Sequence, residues 1–220
     1  MKKNTMMRLA AVMLMCVLLT TSVVGGTFAK YVTSEIGGDS ARVAKWGVDV
    51  TVNGDTAFAK EYDATDSAAI AKGVAKSVVE ASGFDDTLVA PGTGGTLVTY
   101  SISGSPEVAV HVEGDATLTL TGWEDANGDY YCPLVITIDG TDEISGLSYS
   151  SVGDFIDAVK EKLHVDYYVQ ANTDLTTSHT VEWSWPFYTS EANDKKDTDL
   201  GDAGTAKIEF TYEITVTQVD

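Results

Sequence analysis

The chain has 220 residues, of which 14 are basic and 33 acidic, so its formal net charge is −19. A charge of this sign and size repels nucleic acid and anionic lipid, which excludes a nucleic-acid partner as an expectation. Hydrophobic residues make up 44% of the chain, enough to build a core, and the length predicts one domain after any export signal.

The first segment has the three parts of an export signal. A basic region without acids, residues 2–8, precedes an apolar run over residues 9–24. This run is shorter than the roughly 20 residues of a comfortable membrane span, and small residues follow it as far as Ala29. We therefore predict a signal peptide over residues 1–29, cleaved between Ala29 and Lys30. The alternative is an uncleaved N-terminal membrane anchor.

Cleavage would leave residues 30–220 as one domain with 11 basic and 33 acidic residues, a formal charge of −22. Cys132 would then be the one cysteine left, so no disulfide could form within the chain. It lies in a strand-like segment and is predicted to be a small buried hydrophobe. A reactive thiol or a link between chains is the alternative.

Strand patterns dominate the rest of the chain. Apolar and polar residues alternate, or β-branched residues cluster, in segments that Gly, Asn and Asp turns separate. These predicted strands are residues 44–52, 77–80, 96–103, 108–113, 116–123, 130–139, 180–185 and 206–219. Residues 125–129 are predicted to turn the chain back into a hairpin. An Ala-rich segment, residues 65–76, fits either a helix or an irregular segment.

One helix is predicted over residues 152–163. Its apolar residues recur at helical spacing, Ser151 is a suitable N-cap, and Asp154 occupies the third helical position. Many short strands with one or two helical insertions predict an all-β fold, an antiparallel β-sandwich or jelly roll.

The sequence contains no zinc-protease, nucleotide-binding or serine-hydrolase motif, so we predict no enzymatic activity and no cofactor. Asp125, Asn127 and Asp129 are spaced like the start of a calcium loop. Tyr130 and Ile136 stand where such a loop needs glycine and glutamate, so we expect a polar turn with at most weak calcium binding. The acidic residues 194–202 are likewise predicted to form a solvated loop.

The densest aromatic cluster is residues 183–188. Alternation puts Trp183 and Trp185 on the same face of a strand. Two neighbouring tryptophans form either a carbohydrate-stacking surface or part of the core, and core packing is the commoner use.

Several short motifs carry a family resemblance: the signal-peptide junction of residues 25–34 and 39–44, the Pro-Gly loop of residues 88–97, the segment 103–109, and the aromatic residues 183–187 with the acidic residues 197–201 after them. As a set they resemble the TasA and camelysin family of exported, fibre-forming matrix proteins of Gram-positive bacteria. The resemblance implies a jelly-roll domain, a secreted or cell-surface location in a biofilm matrix, and processing by a SipW-type signal peptidase.

The resemblance also implies a mode of assembly, donor-strand exchange with copies of the chain itself or with related matrix subunits. Residues 30–43 would be the donor strand, and its apolar residues are Tyr31, Val32, Ile36 and Val43. An unpaired sheet edge is a template for such a strand. The alternative is a flexible N-terminal segment, because Gly37 and Gly38 weaken the strand pattern. Contact with a membrane is expected only for the precursor.

Two other functions are compatible with a secreted β-domain. One is a carbohydrate- or cell-wall-binding module that uses Trp183 and Trp185. The other is a secreted metallopeptidase, which the missing zinc motif disfavours.

Overall fold

The computed structural model describes residues 42–54, 57–63, 71–73, 77–82 and 87–219. The predicted signal peptide, its cleavage site at Ala29 and Lys30, and most of the predicted donor segment lie outside the described residues. That part includes Tyr31, Val32 and Ile36. Most of the Ala-rich segment 65–76 also lies outside. A compact unit begins at Ala44 and contains all the elements described below.

Strands form most of the regular structure, which confirms the all-β class. They are β1 (Val48–Asn53), β2 (Glu61–Asp63), β3 (Ser77–Glu80), β4 (Gly94–Gly104), β5 (Val110–Thr121), β6 (Val135–Ile138), β7 (Asp142–Ser145), β8 (Val165–Val169), β9 (Leu175–Ser184) and β10 (Lys207–Gln218). Two α-helices accompany them in the described part of the chain, α1 (Val152–Leu163) and α2 (Glu191–Ala203), with a short 3-10 turn at Gly146–Ser148.

All the strand pairs are antiparallel. Five strands form a large sheet in the order β1-β4-β9-β6-β7, three form a small sheet in the order β10-β5-β8, and β2 pairs with β3 alone. The two larger sheets pack against each other. Tyr100 of β4 stacks on Tyr212 of β10 with ring centroids 4.9 Å apart, and Leu97, Leu118 and Val181 are buried between the layers.

The two ends of the domain, called upper and lower, differ in their contacts. At the upper end, Trp123 after β5 contacts Trp185 after β9 with ring centroids 5.5 Å apart. At the lower end, Val110 of β5 pairs with Gln218 of β10. β10 therefore runs from the upper end to the lower end, and β1 runs the opposite way because Val48 pairs with Gly104, the last residue of β4.

β5 is one continuous strand rather than the two that we predicted over residues 108–113 and 116–123. Gly114 and Asp115 are typical turn residues. In the structure Gly114 faces the core and Asp115 faces solvent, so the alternation passes through them unbroken. A Cβ atom on Gly114 would lie 2.7 Å from the hydroxyl oxygen of Tyr212, which is why glycine fits there.

The predicted hairpin across residues 125–129 is wrong. A turn forms there, but the residues on its two sides pair only through a single bridge between Glu124 and Tyr130. The next strand starts only at Val135, since Pro133 has no N–H to donate to a ladder. β6 then pairs with β7 and β9 instead.

α1 matches the predicted helix. The side chain of Ser151 accepts a hydrogen bond from the backbone N–H of Asp154, and Phe155, Val159 and Leu163 are buried. The prediction of a solvated loop over residues 194–202 is wrong, because α2 occupies them.

The caps of α2 explain this error. The side chain of Ser190 accepts from the backbone N–H of Asn193, and Gly204 ends the helix with a left-handed φ of 59°. Acidic residues in the first turn suit the positive end of the helix dipole. Asp197 and Leu200 face the domain and are buried, while the other acids face solvent.

Candidate assembly site along the free edge of β10

The long strand β10 has one paired edge and one free edge. All 12 of its residues pair with β5, from Lys207 opposite Thr121 to Gln218 opposite Val110. Within the described ranges no strand pairs with the other edge. A free edge of this length presents a row of N–H and C=O groups to any extended chain that can reach it.

The side chains beside this edge are incompletely covered. The inward-facing apolar residues of β10 are only half-buried; they are Ile208, Phe210, Tyr212, Ile214 and Val216. Across the layer, Val50 and Val52 of β1 are 40% and 39% exposed, although their cross-strand partners Ile102 and Tyr100 are buried. Apolar residues on the inner faces of two packed sheets are normally covered, but no described element covers this side of the core completely.

A groove runs along the upper half of β10. Near the upper end, Phe58, Leu88, Val89 and Ile208 line a cavity of about 310 Å³. Further down, a cavity of about 190 Å³ lies between β1, β4 and β10 and is lined by residues that include Val52, Leu97, Phe210 and Tyr212. The walls of the groove therefore combine apolar side chains with polar groups, which at the upper end include Thr87, Lys207 and Glu209, and backbone hydrogen-bonding groups lie along one side.

Fixed contacts hold the floor of the groove. Tyr212 donates its hydroxyl hydrogen to the carbonyl oxygen of Leu163 at 3.0 Å, and burial raises the pKa of Tyr212 and of Tyr100. These phenols therefore stay neutral at physiological pH. A side chain that entered the groove would meet a preformed surface rather than one that must rearrange.

The upper wall is fixed as well. The indole Nε1 of Trp183 donates to the carbonyl oxygen of Ala57 at 2.8 Å, and the ring of Phe58 lies 5.3 Å from that of Trp183. Tyr62 donates to the carbonyl oxygen of Leu88 at 2.9 Å. The segment around Phe58 is thus bound to the large sheet and lines the mouth of the groove.

The predicted aromatic binding surface is wrong for Trp183 and Trp185. Their side chains are only 2% and 4% exposed, so neither ring offers a face to a sugar. Trp183 packs between Phe58 and Tyr62, and Trp185 packs on Trp123. Both belong to the core, which was the favoured of the two interpretations.

The calcium-like triad forms a closed turn. The carboxylate of Asp125 accepts from the backbone N–H groups of Asn127 and Asp129, and Lys196 binds its other oxygen at 2.9 Å. The hydrogen bond from Lys196 holds the pKa of Asp125 below its usual range. The carboxylate that would have to lead a calcium site is thus already bound to a lysine.

The histidines lie apart from one another, and each is hydrogen-bonded to one aspartate at 2.7–2.8 Å: His111 to Asp166, His164 to Asp115 and His179 to Asp139. In the part of the chain that the structure covers, no group of three or more His, Cys, Asp or Glu side chains is placed to hold a metal ion.

Cys132 is fully buried, and burial raises the pKa of its thiol to about 12. Cys132 is therefore the small buried hydrophobic residue that was predicted, and not a thiolate.

Val43, the last residue of the predicted donor segment, is exposed. Among the described residues no helix has the length and apolar character to span a membrane.

A scan against protein-family models matched none, and searches of curated proteins and of solved structures found no match. The groove along β10 is the site that best fits a function, and its residues were not predicted as a site. The strict alternation of β10 was visible in the sequence. That its second edge is free depends on the order of the strands, which the sequence does not reveal.

Proposed function

We propose that this chain is a secreted structural subunit of extracellular or cell-surface fibres, which assembles when residues 30–43 of one subunit pair with the free edge of β10 in the next. The observation that carries this proposal is the free edge of β10 with partly exposed apolar residues beside it. The resemblance to the TasA and camelysin family, the acidic composition and the export signal agree with it. The location in a biofilm matrix and cleavage after Ala29 by a SipW-type peptidase rest on the sequence.

The strand order supports a jelly roll in which the described residues supply every strand but one. In an eight-stranded jelly roll, with strands named B to I in chain order, the sheets have the orders B-I-D-G and C-H-E-F. If β4 to β10 are strands C to I, the orders β4-β9-β6-β7 and β10-β5-β8 reproduce C-H-E-F and I-D-G. Strand β1 is then an addition beside C. The position of strand B, next to β10, is where the groove lies.

The direction of the chain argues that strand B comes from another subunit. Strand B runs antiparallel to β10, so its C-terminal end lies at the upper end of the domain. The chain enters its own domain at the lower end, where Ser105 N–H bonds Gly47 and Glu107 N–H bonds Lys45. β10 has 12 residues and spans roughly 40 Å, whereas residues 43–47 reach at most roughly 18 Å. Its own donor segment cannot bridge that distance.

The same geometry gives the assembly a direction. The donor segment extends from the lower end of its own domain, and in the groove of the next domain its C-terminal end lies at the upper end. Each subunit therefore has a free donor at its lower end and a groove that opens at its upper end. Contacts of this head-to-tail kind continue into filaments if the rotation does not close a ring. Parallel pairing would instead end the donor at a lower end, which allows closure on the same subunit or a swapped dimer but no filament.

The donor segment has suitable length, pattern and charge. Residues 30–42 number 13, against 12 in β10, and full antiparallel overlap places Ile36 opposite Tyr212 and Val32 opposite Val216. Val32 and Ile36 lie on one face of an extended chain. Residues 30–43 contain two basic and two acidic residues, so the segment is neutral and is not repelled by the acidic domain.

Imaging and binding together test the proposal. We expect residues 30–220 to form fibres by electron microscopy, and residues 44–220 to stay monomeric. A synthetic peptide of residues 30–43 is expected to raise the melting temperature of 44–220 and to stop fibre growth, while a scrambled peptide does neither. Fibres from 44–220, or the absence of peptide binding, would show that the donor role is wrong. A chain 30–220 that never assembles would contradict the fibre function itself.

A further inference from the structure

Two exposed aromatic groups lie at opposite ends of the domain. At the lower end, Trp46 is 42% exposed immediately before β1. Its neighbours are fixed, because Lys45 donates its backbone N–H to the Glu107 carboxylate at 2.8 Å and Gly47 accepts from Ser105. Gly104, opposite, must be glycine, since a Cβ atom there would overlap the carbonyl oxygen of Gly47. Trp46 is thus presented from a rigid backbone.

At the upper end, Phe187 and Tyr188 are 76% and 65% exposed in the loop between β9 and α2. The ring of Phe187 packs on the backbone of Gly92, where a Cβ atom would lie only 3.1 Å from it. The backbone of Gly92 is tied to Trp185 by a 2.8 Å hydrogen bond. Gly92 lies three residues after Val89, which lines the upper cavity. Phe187 and Tyr188 therefore lie beside the mouth of the groove.

The donor strand would bring these groups together. If strand B ends near Arg42, Trp46 of the donating subunit follows within four residues. It then lies at most roughly 14 Å from the point where the chain leaves the groove. That point is the upper mouth of the accepting subunit, beside Phe187 and Tyr188. Aromatic side chains are enriched at protein interfaces, because they bury a large area with few rotatable bonds.

We propose that successive subunits form a second contact, in which Trp46 of one subunit packs on Phe187 and Tyr188 of the next. This inference rests on the proposed donor-strand assembly. The donor strand alone joins two domains through a short exposed tether, which leaves their relative orientation free. The aromatic contact fixes that orientation and so sets the stiffness of the fibre.

Disulfide trapping tests the contact in assembled fibres of residues 30–220. The variant Trp46→Cys with Phe187→Cys is oxidised after assembly and run on a denaturing gel without reductant. We expect a ladder of dimers, trimers and longer chains. Native Cys132 does not interfere, because it is fully buried. Each single cysteine variant controls for other links and is expected to stay monomeric on the gel.

A matched pair controls for proximity in a fibre. Tyr168 is as exposed as Tyr188, but lies on β8 opposite His111, towards the lower end. Trp46→Cys with Tyr168→Cys is expected to give no ladder. Fibres that form normally but give no ladder with Phe187→Cys would overturn the second contact and leave donor-strand assembly standing. Failure of every variant and of the native chain to form fibres would overturn both.

A substitution without cysteine measures the mechanical effect. Phe187→Ser with Tyr188→Ser is expected to leave the donor strand and groove intact, so fibres still form but have a persistence length several-fold shorter by electron microscopy. Tyr168→Ser, which removes an equally exposed aromatic ring from β8, on the edge of the small sheet opposite the groove, is expected to change nothing. Equal persistence lengths for all three chains would contradict the inference.

Discussion

The hydroxyl of Tyr131 donates a hydrogen bond to Oδ1 of Asp197 at 2.8 Å, which ties α2 to the segment before β6. The indole N–H of Trp185 donates to the same oxygen at 3.2 Å. Burial raises the pKa of Asp197, and the two hydrogen bonds offset only part of that rise. A helix with few apolar anchors is thus held by a carboxylate for which the charged form is unfavourable.

Asp197→Asn is expected to remove one source of pH dependence. The folded state holds the Asp197 proton more tightly than the unfolded state, whose pKa is about 3.9. The free energy of unfolding therefore falls as pH rises from the unfolded pKa through the raised folded one. Asparagine keeps an acceptor for Tyr131 and Trp185 without a charge. Urea titrations between about pH 3.5 and pH 7 should show that the free energy of unfolding falls less for the variant than for the native chain.

Asp197→Ala is the contrasting variant. It leaves the N–H of Trp185 without its acceptor, whereas the hydroxyl of Tyr131 can still donate to the carbonyl oxygen of Asn193 at 3.1 Å. One unsatisfied buried donor costs about 1–3 kcal/mol. We expect a lower free energy of unfolding than for Asp197→Asn at every pH. Equal stability of the two variants would show that the hydrogen bonds to Asp197 contribute nothing.

Gly114 and Tyr212 are expected to be energetically coupled. A Cβ atom at Gly114 would lie 2.7 Å from the hydroxyl oxygen of Tyr212, so Gly114→Ala should cost about 1–3 kcal/mol through overpacking. Tyr212→Phe should cost about 0.5–1.5 kcal/mol for the bond to Leu163. Because Phe removes the clashing atom, the double variant should cost less than the sum. Additive losses in urea unfolding would rule out this coupling.

Cys132 is expected to report on global unfolding. Its thiol is fully buried, and burial raises its pKa to about 12, so almost no thiolate exists at neutral pH. A thiol reagent should leave Cys132 of the native chain unmodified and react with it at once in denaturant. Rapid native labelling would show that the segment around Cys132 opens locally without unfolding of the domain.

The sequence predicts the features that depend on local periodicity. The alternation in β10 and the spacing of Phe155, Val159 and Leu163 with the Ser151 cap predict the elements that form. Each of these signals lies within a dozen residues, where local propensity and burial agree. The all-β class follows from the same patterns.

The features that depend on tertiary contacts were missed. Gly114 suggests a turn until Tyr212 is known to lie over it. The acidic segment of α2 suggests a loop because its only deeply buried side chains are Asp197 and Leu200. The groove itself arises because β1 joins the large sheet beside β4, which leaves β10 without a second neighbour among the described strands. No local pattern specifies that choice.

Ile36→Gln is expected to weaken fibre assembly without affecting the domain. Ile36 lies outside residues 44–220, so the free energy of unfolding of the monomer should not change. In the accepting groove, full overlap places it opposite Tyr212, beside the cavity that Val52 and Phe210 line. Loss of a buried isoleucine costs about 1.5–3 kcal/mol, which raises the critical concentration for assembly roughly 10- to 100-fold. Sedimentation of fibres over a concentration series measures this.

Glu35→Gln is the matched control, because it places the same side chain on the opposite, solvent-facing side of the donor strand. It should leave the critical concentration within about threefold of the native value, since a surface substitution changes free energies by about 0.5 kcal/mol or less. The reverse order, with Glu35→Gln the more damaging, would mean that the donor enters with its other face inward. Tyr31 and Thr33 would then fill the groove, and the register would shift by one residue.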